Sequence, residues 1–312
     1  MEIESVKMVI IQNSMYSKEG VKVFMKNVVV IEDLNNFDLE QTLKCGQIFR
    51  YEQMSSHSYR VIAKNKRIRL TQQPESTTLI IHNSNLAEYE GIWKDYLDIE
   101  TDYSQIVSQI SKDDPHMQKA IESGKGIRIL NQDPWEMLIS FIISQNKAIP
   151  HIQTCIQNIC QRFGELVTDK NGENYYAFPT LEQLSKATEE ELRECKVGFR
   201  APYIMDACEK VKNNTVILEA LSHMSTQEAK ETLMKIKGVG EKVAHCVLLF
   251  GLNKTDTFPT DVWIKRIMEE LYFESKETKN KEIIELANNK FGDYAGYAQQ
   301  YLFYYARERE KE

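Results

Sequence analysis

Short runs of β-branched and aromatic residues, broken by polar residues, dominate the first part of the chain. They lie between residues 20 and 85 and comprise VKVFMKNVVVI, GQIFRYEQ, SYRVIAKNKRIRLTQQ and STTLIIHN. Such runs are typical of strands, and the short breaks between them favour antiparallel pairing. The pattern predicts a small antiparallel sheet in which GQIFRYEQ is one of the strands.

From about residue 88 the apolar positions follow helical spacing almost to the C-terminus, starting with YEGIWKDYLDI. Several helix starts are legible. The pair Asp133-Pro134 is typical of an N-cap followed by proline at the first helical position. Thr180, Thr188 and Ser225 each precede Gln or Glu by three residues, as in a capping box.

The change of pattern predicts an α+β fold. We expect an N-terminal antiparallel sheet domain with short helices in residues 1–100 and a mostly helical domain in residues 101–312. A chain of 312 residues is long enough for two moderate cores. No internal repeat or low-complexity linker is present, and the polar segment 274–282 is short enough to be a loop or an exposed helix.

The segment from Ser225 to Glu270 carries the most information. Its first helix is predicted to end near Ile236, Gly238-Val239-Gly240 forms a tight turn, and a second helix runs over residues 241–250. Glycines bring bare N–H groups close to a ligand, and the start of the following helix favours anions such as phosphate. Residues 226–250 therefore predict a helix-hairpin-helix, although a glycine turn alone is weak evidence for a ligand.

Lys242, Cys246 and Phe250 are four residues apart, so they share one face of the second helix. A lysine in the first turn lies at the positive end of the helix dipole, which disfavours the protonated amine. Only the neutral amine attacks carbon. Lys242 is therefore a candidate nucleophile, and a solvated surface lysine is the alternative.

Asp261 follows Lys242 by nineteen residues, within Phe258-Pro259-Thr260-Asp261. Local sequence favours an N-cap of the helix VWIKRIMEELY. A cap is held rigidly, and a rigid carboxylate beside an amine could also orient it and stabilise a developing sugar cation. Both roles are compatible.

Composition and charge narrow the class of protein. A net charge of −7 argues against non-specific coating of nucleic acid, whereas Lys235, Lys237, Lys242 and Lys254 allow a local basic face. The six scattered cysteines lack the spacing of a zinc or iron–sulfur site. With no signal-like or membrane segment, we expect a soluble cytoplasmic protein with reduced thiols.

The segment LMKIKGVGEKVAHCVLLFGLNKTDTFPTDV resembles the helix-hairpin-helix and Gly/Pro/Asp signature of the endonuclease III superfamily of DNA glycosylases. It is most similar to the 8-oxoguanine DNA glycosylase/lyases. Further segments resemble that family in the same order: CGQIFR at 45–50, ISQN at 143–146, GFRA at 198–201 and DYAGYAQ at 293–299. The resemblance runs from about residue 30 to residue 307.

The resemblance implies base excision repair of 8-oxoguanine. Lys242 would attack C1′ of the flipped nucleotide and release the base, and β-elimination through a Schiff base would nick the strand. Asp261 would activate the amine. The carbonyl of Gly46 would accept a hydrogen bond from N7–H, which ordinary guanine lacks. The rest of the base pocket implied by the resemblance consists of Cys246, Phe250, Pro259, Gln299 and Phe303, with Gln299 on the Watson–Crick edge and Phe303 stacking.

Other positions would contact DNA outside this pocket. The family pattern places Asn146, Phe199 and Arg200 in the gap or against the partner base, and Gly238 and Gly240 at a phosphate. Two residues depart from the pattern. His151 stands where a second arginine reads cytosine, and Trp263 stands where a histidine lies near phosphate, so strict cytosine preference and that phosphate contact are in doubt.

The resemblance also implies a structural cation on the main-chain carbonyls of Met234, Ile236 and Val239, and no redox or nucleotide cofactor. The expected partner is double-stranded DNA containing 8-oxoguanine, with no membrane. We expect a monomer in the cytoplasm of a prokaryote, associated with the nucleoid. Two alternatives remain open: a monofunctional or alkylated-base glycosylase of the same superfamily, and a non-catalytic helix-hairpin-helix module.

Overall fold

The computed structural model describes residues 14–18, 21–24 and 27–310. The strands of its N-terminal part are β1 (Ser14–Lys18), β2 (Val21–Phe24), β3 (Val28–Ile31), β4 (Tyr51–Ser55), β5 (Ser58–Ala63), β6 (Lys66–Thr71) and β7 (Leu79–His82). They pair antiparallel in one sheet of seven strands, in the order β1-β2-β3-β7-β6-β5-β4.

The hairpin between β5 and β6 shows how local sequence sets the register. Ala63 pairs with Lys66, which leaves a turn of two residues. Both of them, Lys64 and Asn65, have positive φ, at 49° and 56°. A two-residue turn with this conformation matches the twist of antiparallel strands. On β5, the strand before this turn, Tyr59 and Val61 are buried in the core.

The structure corrects the predicted strand limits. Strand β4 begins only at Tyr51, so residues 46–50 of GQIFRYEQ are irregular. The polar groups of Gln47 bond to residues 128–132 and not to a neighbouring strand. A further hairpin that the pattern did not predict, β8 (Leu166–Thr168) and β9 (Asn174–Tyr176), lies within the helical part.

One helix lies between β3 and β4, and the other helices make up most of the chain after residue 86. They are α1 (Leu39–Lys44), α2 (Leu86–Glu88), α3 (Lys94–Tyr96), α4 (Tyr103–Ser111), α5 (Pro115–Ser123), α6 (Pro134–Ser144), α7 (Ile149–Phe163), α8 (Leu181–Leu184), α9 (Glu189–Glu194), α10 (Ala201–Lys212), α11 (Thr226–Leu233), α12 (Glu241–Leu252), α13 (Val262–Tyr272), α14 (Asn280–Phe291) and α15 (Ala295–Arg309). A π-helical turn, Tyr89–Trp93, joins α2 to α3. Within the described ranges, no helix has the length and apolar content to cross a bilayer.

The predicted helix starts are confirmed by their hydrogen bonds. Asp133 accepts from the N–H of Glu136 at 2.9 Å, with proline following at the first helical position. Thr180, Thr188 and Ser225 each form a complete capping box. The α+β fold class, a sheet followed by a helical region with a helix-hairpin-helix, is likewise confirmed.

Two hydrophobic cores lie on either side of a seam. One core packs the sheet against the helical segment of residues 86–97 and includes the fully buried Trp93. The other occupies the helical region. Two buried arginines connect the two sides of this seam. Arg67 of β6 forms an ion pair with Asp169, in the turn between β8 and β9, at 2.6 Å. Arg128 donates to the carbonyls of Asn35 and Asn36 at 2.8 and 3.1 Å.

Gly126 marks the closest approach across the seam. Its carbonyl accepts from the N–H of Asp38 at 2.8 Å and from the hydroxyl of Thr42 at 3.1 Å. A Cβ at this position would lie 2.2 Å from the main-chain nitrogen of Asp38. Because both sides of this contact are backbone, no side-chain rotation relieves it. The glycine therefore allows α1 to sit directly against residues 126–130.

We predict that Gly126→Ala destabilises the fold by about 1–3 kcal/mol, the usual cost of overpacking a close contact. Urea unfolding followed by circular dichroism measures the change. Gly91→Ala is the matched control, because a Cβ at Gly91 meets no atom within 4 Å. Equal stability of the two variants would contradict the packing described here.

Candidate active site

The glycine turn lies between α11 and α12, as predicted, although the first helix ends at Leu233. Gly238 has a φ of +79°, and a Cβ there would lie 2.3 Å from the ring of Tyr203. The position thus requires glycine for two reasons: its φ is positive, and the Tyr203 ring leaves no room for a side chain. Gly240 is the N-cap of α12, and it is exposed. The first N–H groups of α12 therefore begin at the protein surface, where an anion can reach them.

Helix α10 holds the hairpin in place. The main-chain N–H of Lys237 donates to the carboxylate of Asp206 at 2.6 Å, and the amine of Lys210 donates to the carbonyl of Lys235 at 2.5 Å. With Tyr203, these side chains lie at spacings of three and four residues along one face of α10. Sequence reasoning missed this support, because nothing in α10 alone indicates what its polar face contacts.

Lys242 is the second residue of α12 and is half-buried. Its Nζ lies 3.5 Å from the hydroxyl oxygen of Ser144 and 5.3 Å from the ring centre of Phe141. The Ser144 hydroxyl donates its hydrogen to the carbonyl of Phe141 at 2.8 Å. The hydroxyl oxygen therefore offers its lone pairs to an N–H of the Lys242 amine.

Cys246 lies one turn further along the same helix face. Burial raises the pKa of its thiol to about 11; Lys242 opposes this shift and Asp261 adds to it. The thiol is therefore neutral near pH 7. The Lys242 amine and the Asp261 carboxylate thus both act electrostatically on this thiol.

Asp261 is the N-cap of α13, and its carboxylate accepts from the N–H of Ile264 at 2.9 Å. The capping role predicted from sequence is confirmed. Among the described residues, Asp261 and Lys242 form no ion pair within 4 Å. Val262, the next residue, is 63% exposed. The catalytic pair that the sequence predicts thus lies at an open edge of the protein.

Phe250 is as buried as Cys246, at 3% exposed, and both are more buried than Lys242. It stacks on Phe141 with ring centres 5.5 Å apart and planes 19° apart, and it belongs to the helical core. Phe141 also lies beneath the Lys242 amine. Phe250 thus supports the ring under the amine. Pro259 is likewise buried, whereas Trp263 is half-buried.

The structure brings Gly46 and Phe303 together. Gly46 has a φ of +85°, and a Cβ there would lie 3.0 Å from the Phe303 ring. Arg307 fixes this arrangement by donating to the carbonyl of Lys44 at 3.1 Å. The loop of residues 44–47 therefore packs against α15, at the place where the sequence predicts the base pocket.

Gln299 is buried beside a second glutamine that sequence reasoning missed. The amide of Gln300 donates to Oε1 of Gln299 at 3.2 Å, and both side chains are almost fully buried. Cys246 is buried as well, at 3% exposed.

The predicted duplex-contacting residues divide into exposed and buried ones. Asn146, with a φ of 48°, and His151 are exposed, and Phe199 is 51% exposed. Arg200 is 4% exposed, and its guanidinium donates to the carbonyls of Val197, Gln145 and Asn146. In this arrangement Arg200 joins two loops, and its guanidinium is not presented to a partner base.

Two family models match consecutive parts of the chain. Residues 29–138 match the family described as 8-oxoguanine DNA glycosylase, N-terminal domain. Residues 139–292 match the HhH-GPD superfamily of base excision DNA repair proteins.

Individual relatives are similar over most of the chain. The N-glycosylase/DNA lyase of Arabidopsis thaliana is 30% identical over 85% of this chain and 76% of its own length. A probable N-glycosylase/DNA lyase of Methanothermobacter thermautotrophicus is 34% identical over 62% of this chain and 68% of its own length.

A solved structure is similar over a still larger share. The 8-oxoguanine glycosylase/lyase of Clostridium acetobutylicum, in complex with double-stranded DNA containing cytosine opposite 8-oxoguanine, has a TM-score of 0.87 and 40% identity. The match covers 91% of this chain and 97% of that one. The chain therefore belongs to the 8-oxoguanine glycosylase family of N-glycosylase/DNA lyases, within the HhH-GPD superfamily of base excision DNA repair proteins.

Proposed function

We propose that this chain removes 8-oxoguanine from duplex DNA and then nicks the strand, with Lys242 as the nucleophile. The observation that carries the proposal is the position of the Lys242 amine. It is half-buried at the start of a helix, next to Ser144, and it adjoins the thiol of Cys246.

The reaction follows from what a neutral amine does at a sugar carbon. The amine lone pair forms a bond to C1′, and the bond between C1′ and the base breaks, so that the base leaves with the electron pair and takes up a proton. Opening of the sugar ring gives a Schiff base. Loss of a C2′ proton then expels the 3′ phosphate, and hydrolysis frees the lysine. No cofactor enters this sequence.

Asp261 supports the reaction by charge. Its negative charge contributes to the raised pKa of the Cys246 thiol, on which Lys242 has the opposite effect, and the hydrogen bond from the N–H of Ile264 holds the carboxylate in place. A fixed negative charge stabilises the cationic sugar that forms as the base departs. We propose that Gly46, Cys246, Phe250, Pro259, Gln299 and Phe303 form the base pocket around this pair, with Phe250 acting from beneath through Phe141.

The exposed residues fit contacts with duplex DNA. Phe199 would enter the stack beside the extruded nucleotide, and Asn146 would occupy the gap. His151 would approach the partner base, so cytosine preference depends on a side chain shorter than arginine. Arg200 would hold the loops of Phe199 and Asn146, and direct contact of Arg200 with the partner base would require its release from the carbonyls.

The hairpin fits a contact with DNA phosphate, through Gly238 and the exposed start of α12 at Gly240. A cation bound by the carbonyls of Met234, Ile236 and Val239 belongs to the same proposal. The Ile236 carbonyl accepts one hydrogen bond, from the N–H of Val239 at 3.0 Å, and a carbonyl oxygen has a second lone pair for a cation. Such a cation would stabilise the turn and take no part in the chemistry.

We also propose that the chain divides into two domains between residues 100 and 101 and that it acts as a monomer. Its proposed location is the cytoplasm of a prokaryote, in association with the nucleoid. The separate cores of the sheet and the helical region support the division.

We predict that Lys242→Gln abolishes both steps, because the amide has no nucleophilic lone pair. The measurement mixes protein with a duplex containing 8-oxoguanine, adds sodium borohydride, and follows the covalent protein–DNA band and the released base. Lys119→Gln is the matched control, since it removes the same charge from an exposed position on α5. Base release by wild type without a band would show a monofunctional glycosylase, and binding with neither product would favour the non-catalytic module.

We predict that Asp261→Asn removes the negative charge of this side chain but keeps its helix-capping hydrogen bond. Asparagine caps a helix as well as aspartate does, so stability should be retained, whereas Asp261→Ala should cost about 1 kcal/mol. Both variants should lose about 10²–10³-fold in the single-turnover rate of base release, because the fixed charge is gone. Urea unfolding and quenched-flow assays give the two quantities. An active Asn variant would restrict Asp261 to capping.

Gly46→Ala should reduce excision of 8-oxoguanine strongly. The new Cβ would crowd the Phe303 ring, and alanine is strained at the positive φ of this position. Gly172→Ala is the control: Gly172 also has a positive φ, +81°, but a Cβ there meets nothing within 4 Å. The comparison of the two single-turnover rates isolates the Phe303 contact from backbone strain. Equal rates would remove Gly46 from the pocket.

A further inference from the structure

His245 lies on α12, three residues after Lys242, and it is 4% exposed. Its Nδ1 is 3.3 Å from the main-chain oxygen of Phe258, in the loop that joins α12 to Asp261. A carbonyl oxygen can only accept a hydrogen bond, so the hydrogen of the neutral ring is on Nδ1. This side chain therefore connects the helix that carries the nucleophile to the loop that carries the carboxylate.

The charge around His245 is consistent with a neutral ring. Burial lowers its pKa; Glu241 and Asp256 oppose this shift, and Lys230 adds to it. Glu241 and Lys230 are themselves paired at 2.8 Å, which offsets their effects on the ring. The ring thus has a single N–H, and the Phe258 carbonyl receives it.

The other tethers of this loop reach different elements. The carbonyl of Thr255 accepts from the N–H of Gly296 on α15 at 2.7 Å, and the carboxylate of Asp256 accepts from the hydroxyl of Thr226 on α11 at 2.7 Å. They fix the first half of the loop. The carbonyl of Phe258, three residues before Asp261, receives His245 and, at 3.1 Å, the hydroxyl of Thr260. Of these, His245 is the side chain that comes from α12.

We propose that His245 is a positioning residue for the glycosylase reaction: its Nδ1–H holds the Phe258 carbonyl and thereby sets the place of the Asp261 carboxylate relative to the Lys242 amine. The inference rests on the proposed function, since it assigns a role within that reaction. Asp261 does not touch Lys242, so its effect on the reaction depends on a spacing that neither residue fixes by direct contact. A displacement of about 1 Å between reacting groups can lower a rate about 100-fold.

Three substitutions test this role. His245→Leu fills the site with an apolar side chain and removes the donor. His245→Asn restores an N–H at the δ position, where Nδ1 lies, whereas His245→Gln places its amide one bond further out. Single-turnover base release is measured with saturating duplex containing 8-oxoguanine. The Kd for a duplex with a tetrahydrofuran abasic site and the unfolding midpoint are measured alongside.

The expected result is a rate about 10- to 100-fold lower for the Leu and Gln variants, Kd unchanged within about threefold, and recovery to within about threefold of wild type in the Asn variant. A Leu variant as fast as wild type, an Asn variant no better than Gln, or losses that follow Kd or stability would each overturn the proposal. If the Leu variant does not fold, the comparison of Asn with Gln decides. Wild type is assayed first, and a wild type without base release would refute the proposed function itself.

Discussion

The buried side-chain amide of Gln47 is the interaction on which the shape of the site depends. Its nitrogen donates to the carbonyl of Arg128 at 2.7 Å, and its oxygen accepts from the N–H of Leu130 at 2.8 Å. The main-chain oxygen of Gln47 accepts from Gln132 at 2.8 Å. An unpaired amide in this position would cost about 1–3 kcal/mol, so the segment has one arrangement that satisfies it. That arrangement places the neighbouring Gly46 against Phe303 and carries the sheet side of the pocket into the helical region.

The residues proposed for the reaction and those proposed for the base pocket differ in burial. Lys242 and Asp261 are half-buried, whereas Cys246 and Gln299 are buried. Phe303 is half-buried and packs against the loop that carries Gly46.

Sequence predicted the fold class because strand runs, helical spacing and capping boxes are local signals. Helical spacing predicted the shared face of Lys242 and Cys246, and local sequence predicted the cap at Asp261, whereas the assignment of all three to one site came from the family resemblance. It did not predict the irregular path of residues 46–50, since the partners of Gln47 lie about eighty residues away. Contacts made across elements, such as Arg200 with two loops or His245 with Phe258, have no local pattern and required the structure.

The buried guanidinium of Arg200 makes two separate loops into one rigid unit. It bonds the carbonyl of Val197, two residues before the exposed ring of Phe199, and also the carbonyls of Gln145 and Asn146. The ring of Phe199 and the amide of Asn146 therefore lie on loops that one guanidinium connects. If both enter the duplex as proposed, a substitution of Arg200 would alter the two contacts together.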